Sequence, residues 1–210
     1  MKAIIFDLDG TLWETVESSW NSYNKIVAKY PFLRPISKQT VAASMGTTVE
    51  ECAELYMPYL DNDTRVTILM EMLEQTAKDL DIYGGNVYKN VEDTLRELKE
   101  NYLLGIVSNC GPGYIESFLH TSGLDKYFVD YVAAGAEKMS KGNAILRFMR
   151  RNGIEEAIYV GDTIRDYKAS IAASIPFIHA KYGFDQELTV DKTIYDIKEL
   201  PILLSKINAN

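Results

Sequence analysis

Two carboxylates spaced two residues apart, Asp7 and Asp9, stand at the end of the apolar run Ile4-Ile5-Phe6 and are followed by Gly10, Thr11 and Leu12. A short apolar run of this kind reads as a buried parallel strand that delivers its acids at the C-terminal edge of a sheet, where open α/β folds place their chemistry. Side chains alternate along a strand, so Asp7 and Asp9 lean the same way and can face one small volume. Two like charges held that close are costly unless a cation lies between them or one takes a proton, and either outcome is useful to a reaction. The plain alternative is a strand followed by an Asx-type turn, where Asp and Gly are common on structural grounds alone. This stretch by itself leaves both readings open.

Two later apolar runs end in polar groups of the same usefulness. Leu103-Leu104-Gly105-Ile106-Val107 stops at Ser108-Asn109, and Ala157-Ile158-Tyr159-Val160 stops at Gly161-Asp162, with Asp166 four residues further on at a helix start. Between them, Ser140-Lys141-Gly142-Asn143 opens a helix and can aim one ammonium at the same edge. Asp7, Asp162 and Asp166 offer hard oxygen ligands that suit Mg²⁺ rather than a soft metal. Ser108, the N–H groups after its strand and Lys141 offer donors and positive charge to an oxyanion. A hard cation beside an anion cradle, with a carboxylate in reach of both, describes phosphoryl transfer through an acyl phosphate. Each group also has a plainer use. Ser108-Asn109 can cap the next helix, Lys141 can be a solvated loop lysine, and Asp166 can be an acid favoured in the first turn of a helix.

These groups need elements to hold them. After Leu12 the chain turns helix-rich until about Tyr83. Residues 14 to 30 carry Val16, Trp20, Tyr23, Ile26, Val27 and Tyr30 at helical spacing, and Pro31 ends that helix. Further helices are expected near 37–44, 48–56 and 64–80, separated by Gly46 and by Pro58 with Asp61-Asn62-Asp63, and no convincing strand stands among them. The aromatic stripe Trp20, Tyr23 and Tyr30 reads as bundle core. Gly84-Gly85-Asn86 punctuates the end of this region. From there helix and strand alternate. Helices are expected around Val91, Leu95 and Leu98, over 113–121, around Ile145, Phe148 and Met149, over 166–173 and over 197–206. Strands are expected at 103–107, 131–134, 157–160, 176–180 and, at an edge, 193–194. Strands separated by helices imply right-handed crossovers, and so an α/β, Rossmann-like, mostly parallel sheet with helices on both faces. The expected organisation is a core of residues 1–13 and 86–210 with an inserted all-helical unit at 14–85.

Composition narrows the partners. Lys and Arg number 22 against 30 Asp and Glu, a formal charge of −8, which argues against nucleic acid. No run approaches the roughly 20 apolar residues of a membrane span, and the opening six residues are too short and too soon followed by acids for a leader, so cytoplasm is the expectation. Cys52 and Cys110 have no metal-ligand spacing and read as free thiols. His120 is expected to be structural, and His179 to be a hydrogen-bonded interior residue of its strand.

Asp7-Leu8-Asp9-Gly10-Thr11, Ser108-Asn109, Lys141 and Gly161-Asp162-Thr163-Ile164-Arg165-Asp166 together resemble the four ordered motifs of the haloacid dehalogenase superfamily, over nearly the whole chain. The helical insertion is similar to the type C1 cap of phosphoglycolate phosphatase-like and β-phosphoglucomutase-like members. The resemblance implies Asp7 as nucleophile and Asp9 as general acid, then general base, with Asp9 also binding Mg²⁺ through its backbone carbonyl. It implies Ser108, Asn109 and Lys141 as phosphoryl-binding groups, Asp7, Asp162 and Asp166 completing the metal site, and Gly10, Thr11 and Gly161 as supports. Many relatives carry Lys-Pro-x-Pro where this chain has Lys141-Gly142-Asn143-Ala144, which leaves Lys138 as a rival to Lys141. Dehalogenases of the superfamily lack an acid at the position of Asp9, so the resemblance implies a phosphoryl substrate. It also implies that the first cap residues, Trp13 and Glu14, and the Gly46-Thr47-Thr48 turn face the catalytic edge and sort substrates.

The expectation is therefore a Mg²⁺-dependent phosphatase acting on a small phosphorylated metabolite such as phosphoglycolate. A sugar-phosphate mutase of the β-phosphoglucomutase type and a non-catalytic phosphate-binding regulatory module stand as alternatives.

Overall fold

The computed structural model describes residues 2–208. The chain begins with β1 (Lys2–Phe6), then β2 (Trp13–Glu14) and four helices, α1 (Val16–Val27), α2 (Lys38–Ser44), α3 (Val49–Tyr56) and α4 (Asn62–Tyr83). It continues through β3 (Asn86–Val87), α5 (Val91–Lys99), β4 (Leu103–Ser108), α6 (Tyr114–Ser122), β5 (Asp130–Ala133) and α7 (Lys141–Arg151). It ends with β6 (Glu156–Gly161), α8 (Ile164–Ala172), β7 (Phe177–Ala180), β8 (Thr193–Ile194) and α9 (Leu200–Asn208).

Six strands form one parallel sheet in the order β5-β4-β1-β6-β7-β8. The strand that carries Asp7 is thus flanked directly by the two that carry Ser108 and Asp162, so the three polar strand ends meet by sheet order alone. Alternation along β1 splits its side chains between two cores. Ile4 and Phe6 join Leu95, Phe118 and Leu204 on one face, while Ala3 and Ile5 join Ile145, Phe148 and Ala169 on the other. Burial on both faces is why the strand reads as a continuous apolar run rather than an alternating one.

Helices α1 to α4 pack around a third core that includes Tyr23, Ile26, Val41, Ala53, Tyr56, Leu69 and Met72. The starts of α2, α3 and α4 are set by side-chain caps: Ser37 accepts from Thr40 N, Thr48 from Glu51 N and Asp61 from Thr64 N. The stripe residue Tyr23 lies in this core as expected, with Trp20 and Tyr30 packed against it. The helix expected over 64–80 runs longer at both ends, from its Asp61 cap to Gly84, which adopts φ 69°.

One pairing has no counterpart in the sequence pattern. Trp13 pairs with Val87 and Glu14 with Asn86 in a two-stranded antiparallel ladder, and Tyr88 N donates to Leu12 O (3.0 Å). Strands of two residues carry no period, and their partners lie far apart in the chain. This ladder joins the entry and exit of the helical region. Among the described residues, no helix is long and apolar enough to cross a membrane.

Candidate active site

Asp7 leaves β1 at the centre of the sheet, with its N–H donated to Val160 O (2.8 Å), and the residue is 2% exposed. Its Oδ1 accepts from Lys141 Nζ at 2.8 Å. Lys141 is the first residue of α7, whose cap Ser140 accepts from Asn143 N, so the helix start fixes where the ammonium points. The same ammonium donates to Asp166 Oδ1 at 2.5 Å. Asp166 in turn closes a capping box at the start of α8: its Oδ2 accepts from Thr163 N (3.0 Å) and Thr163 Oγ1 (2.6 Å). The helix-start reading of Asp166 is thus realised, and the same side chain also reaches the Lys141 ammonium beside Asp7. Lys138, the rival lysine, lies on an outer cleft with Glu50, and its ammonium is not the one that meets Asp7.

Asp162, fully buried at the end of β6, accepts from Phe184 N through Oδ2 (2.7 Å) and from Thr11 Oγ1 through Oδ1 (3.5 Å). Oxygens of Asp7, Asp162 and Asp166 all lie within 4.8 Å of one another. Gly10 makes this approach feasible, because at φ 79° a Cβ there would lie 2.2 Å from Asp162 Oδ2. Gly161 does the same for Asp166, whose Cβ would be 2.6 Å away.

Three buried carboxylates stand here against one ammonium, and the electrostatics show it. Burial, joined by the Asp166 charge, pushes the Asp7 carboxyl up to about 7, against the opposing pull of Lys141. Burial with Asp166 and Asp7 pushes Asp162 well above the usual carboxylate range. Burial would lower Lys141, but Asp166 and Asp7 beside it more than offset this and hold the ammonium charged. The donor set is all oxygen, compact and short of positive charge, so it fits a hard divalent cation such as Mg²⁺.

Asp9 turns away from this trio. Its Oδ1 accepts from Thr15 Oγ1 (2.8 Å) and from the Tyr114 hydroxyl (2.8 Å), and those two hydroxyl oxygens lie 2.7 Å apart. Burial pushes the Asp9 carboxyl up, while Thr15 and Tyr114 restrain the shift. The period-two argument thus places both acids at one site but not on one ligand: the carboxylate of Asp9 is not in the trio, and any contact with a metal would be through its backbone.

Ser108 ends β4, is buried and lines a cavity of about 80 Å³ between the sheet edge and the helical layer, together with Asp7, Asp9 and Asn109. The Asn109 amide is not directed at Asp7. It donates to Gly46 O of the α2–α3 turn (3.1 Å) and so ties the sheet edge to the helices. Gly46-Thr47-Thr48 also lines the cavity. Trp13 and Glu14 do not. Trp13 is fully buried, edge-on to Tyr114 (5.5 Å) and Phe118 (5.0 Å), and Glu14 accepts from Val16 N (2.7 Å) at the start of α1.

His179 is interior, with its ring beside the backbone of Asp162 and Asp185 and stacked on Phe177 (6.4 Å). His120 pairs with Asp81 on the surface (3.0 Å). Both cysteines are free, and burial with Asp9 and Asp7 nearby pushes the Cys110 thiol up, away from nucleophilic use. Thr15, Tyr114 and the Phe184 N–H carry no motif that singles them out in the sequence. Only the place of Tyr114, at the start of the helix that follows the Ser108-Asn109 strand end, offered a signal.

The family described as haloacid dehalogenase-like hydrolase matches residues 4–180. A phosphoglycolate phosphatase from Synechococcus elongatus is 30% identical over 198 residues, covering 88% of this chain and 86% of that protein. One from Photorhabdus laumondii is 28% identical and covers 88% and 82% respectively. In three dimensions the chain resembles a Haemophilus somnus protein described as a predicted phosphoglycolate phosphatase, with a TM-score of 0.83 at 20% identity over 97% of this chain and 98% of that one. With its parallel sheet, its ordered strand-end motifs and a match over most of its length, the chain is an enzyme of the haloacid dehalogenase-like hydrolases.

Proposed function

We propose that the protein is a Mg²⁺-dependent phosphatase that moves the phosphoryl group of a small phosphorylated metabolite first to Asp7 and then to water. The observation that carries this reading is the buried Asp7–Lys141–Asp166 bridge, with Asp162 beside it, opening on a cavity that also holds Asp9. Asp7 is the nucleophile, at the centre of the sheet edge. Ser108 and the Lys141 ammonium bind phosphoryl oxygens as the ester bond breaks and the Asp7–phosphorus bond forms. Asp9, whose environment favours the protonated form, gives its proton to the departing alkoxide oxygen. It then takes a proton from the water that attacks phosphorus, which frees inorganic phosphate and Asp7. Asp7, Asp162 and Asp166 would hold Mg²⁺, with the Asp9 carbonyl, and the ion would supply charge neutralisation for the phosphoryl oxygens.

In this reading residues 1–13 and 86–210 form the catalytic core and 14–85 a cap, hinged at the β2–β3 ladder and Gly84-Gly85, that admits substrate and excludes bulk water. The relatives' names make phosphoglycolate the first ester to assay, and free cysteines accord with the cytoplasm. The test is inorganic phosphate release from a panel of phosphate monoesters with Mg²⁺ and with EDTA, using Asp7→Asn as control. Release that needs both the ion and Asp7 is expected. Silence across the panel would favour a phosphate-binding module, and an isomerised sugar phosphate without free phosphate would favour a mutase.

A further inference from the structure

The residues that follow β7, Tyr182 to Asp185, touch the site from outside every strand-end motif. The Tyr182 hydroxyl donates to Thr11 O (2.8 Å), Phe184 N donates to Asp162 Oδ2 (2.7 Å), and Asp185 Oδ2 accepts from Ile164 N (3.2 Å) at the start of α8. The segment is thus tied both to the turn after β1 and to the stretch 162–164.

Phe184 reaches further than its neighbours. Its ring lies against Gly10, where a Cβ would come 2.7 Å from the ring's Cδ2. The ring also packs against the core built by α1 to α4, and among the described residues of that core Phe184 alone comes from outside 14–85. One residue therefore holds a carboxylate of the candidate metal site by its backbone and the helical layer by its side chain. The neighbouring links between the helices and the sheet edge are polar: Asn109 Nδ2 donates to Gly46 O (3.1 Å), and Arg165 pairs with Glu51 (3.2 Å) on the surface. An exposed ion pair is screened and contributes little, whereas a ring drawn out of water joins the two layers through its apolar area.

Resting on the reading of residues 14–85 as a cap over a Mg²⁺ site, we infer that Phe184 is a positioning residue for Asp162, through which seating of the cap and binding of the metal favour one another. Mg²⁺ demands near-ideal octahedral geometry, so a carboxylate that ligates it has little freedom. Fixing Asp162 fixes the N–H it accepts from, and with it the ring on which the helices pack. By reciprocity, helices seated on the ring favour the same placement of Asp162.

The experiment measures amide hydrogen exchange in α2, α3 and the turn between them, with and without saturating Mg²⁺, together with Mg²⁺ affinity by calorimetry, in the wild type, Phe184→Ala and Phe184→Leu. Both variants keep the backbone N–H, so only the ring is lost. In the wild type Mg²⁺ should slow this exchange about fivefold or more, the low end of a coupling between two sites. In Phe184→Ala the slowing should fall below about twofold, and Mg²⁺ affinity should weaken by up to the factor lost, since the coupling is reciprocal. Phe184→Leu, which shortens the apolar contact without emptying it, should give an intermediate slowing matched by an intermediate affinity. A ring that serves stability alone would speed exchange in both variants equally with and without metal, and that result would overturn the inference. So would a wild type that binds Mg²⁺ with no change in exchange. Both results leave the phosphatase reading in place, whereas a wild type that binds no Mg²⁺ would remove the metal site and this inference together.

Discussion

In the metal-free protein, replacing Asp7 by asparagine should change the pH dependence of stability in a direction fixed by the site. The Asp7 carboxyl rises from its usual 3.8 to about 7 on folding, through burial and the Asp166 charge. The folded protein therefore holds a proton that the unfolded chain has already released in the window from about pH 4 to about pH 7. Stability falls as pH rises through such a window, by about 1.4 kcal/mol per pH unit for one group. In Asp7→Asn the side-chain amide has no titrating proton, and its oxygen can still accept from Lys141. Between pH 5 and pH 8 the variant should thus gain roughly 2 to 3 kcal/mol relative to wild type. Urea unfolding in EDTA at pH 5, 6, 7 and 8 measures this as a difference between two chains, so titrating groups remote from Asp7 cancel, while the loss of the Asp7 charge also relieves Asp162. Mg²⁺ should reverse the comparison, since binding that requires ionised carboxylates adds about 2.7 kcal/mol to wild type at a hundred times its dissociation constant. A difference flat with pH would refute the claim that folding burdens this carboxylate. A wild type that gains on the variant as pH rises would show that Lys141 outweighs burial.

The remaining predictions concern the groups around Asp7. Lys141→Met removes the ammonium shared by two buried carboxylates and should cost about 3 to 5 kcal/mol in urea unfolding without metal, at neutral pH, with phosphate release lost. A stable variant would show that the carboxylates protonate freely in its absence. Asp9→Asn should lower kcat by roughly 10²- to 10⁴-fold while Mg²⁺ affinity by calorimetry changes little, because its carboxylate lies outside the trio. Tyr114→Phe deletes a bond that restrains the upward shift of Asp9, so the Asp9 pKa should rise. The limb of the kcat profile that reports loss of the Asp9 proton should then move to higher pH, and an unmoved limb would show that Tyr114 only packs.

What was legible in the sequence was whatever a single strand carries to its own end. Asp7, Ser108 and Asp162 needed only apolar runs to be recognised, and the sheet order β4-β1-β6 did the rest. Lys141 and Asp166 were legible for a related reason: both sit in the first turn of a helix, where a short cap motif fixes the side chain's place. The facts that escaped were relations between segments with no local period. The Asn109 amide fits a phosphate cradle by motif, yet in the fold a carbonyl of the helical layer reaches it. Trp13 opens the helical region by position, yet its ring is drawn into the aromatic cluster of Tyr114 and Phe118. The two-residue ladder that clamps the entry and exit of that region is invisible to any window of sequence.

Asp9 shows why this matters for mechanism. Its position was set by β1, but its environment is set by Thr15, at the mouth of the helical region, and by Tyr114, the first residue of the helix after β4. Each supplies a hydroxyl to the same carboxylate oxygen, and Tyr114 also packs on the ladder residue Trp13. A displacement of the helical region that carried Thr15 away would remove one of the bonds restraining the upward shift of Asp9. The proton would then be held more firmly at the moment the site is open and surrendered more readily once Thr15 returns. The environment of this acid is thus set at a single oxygen atom by tertiary contacts rather than by any motif.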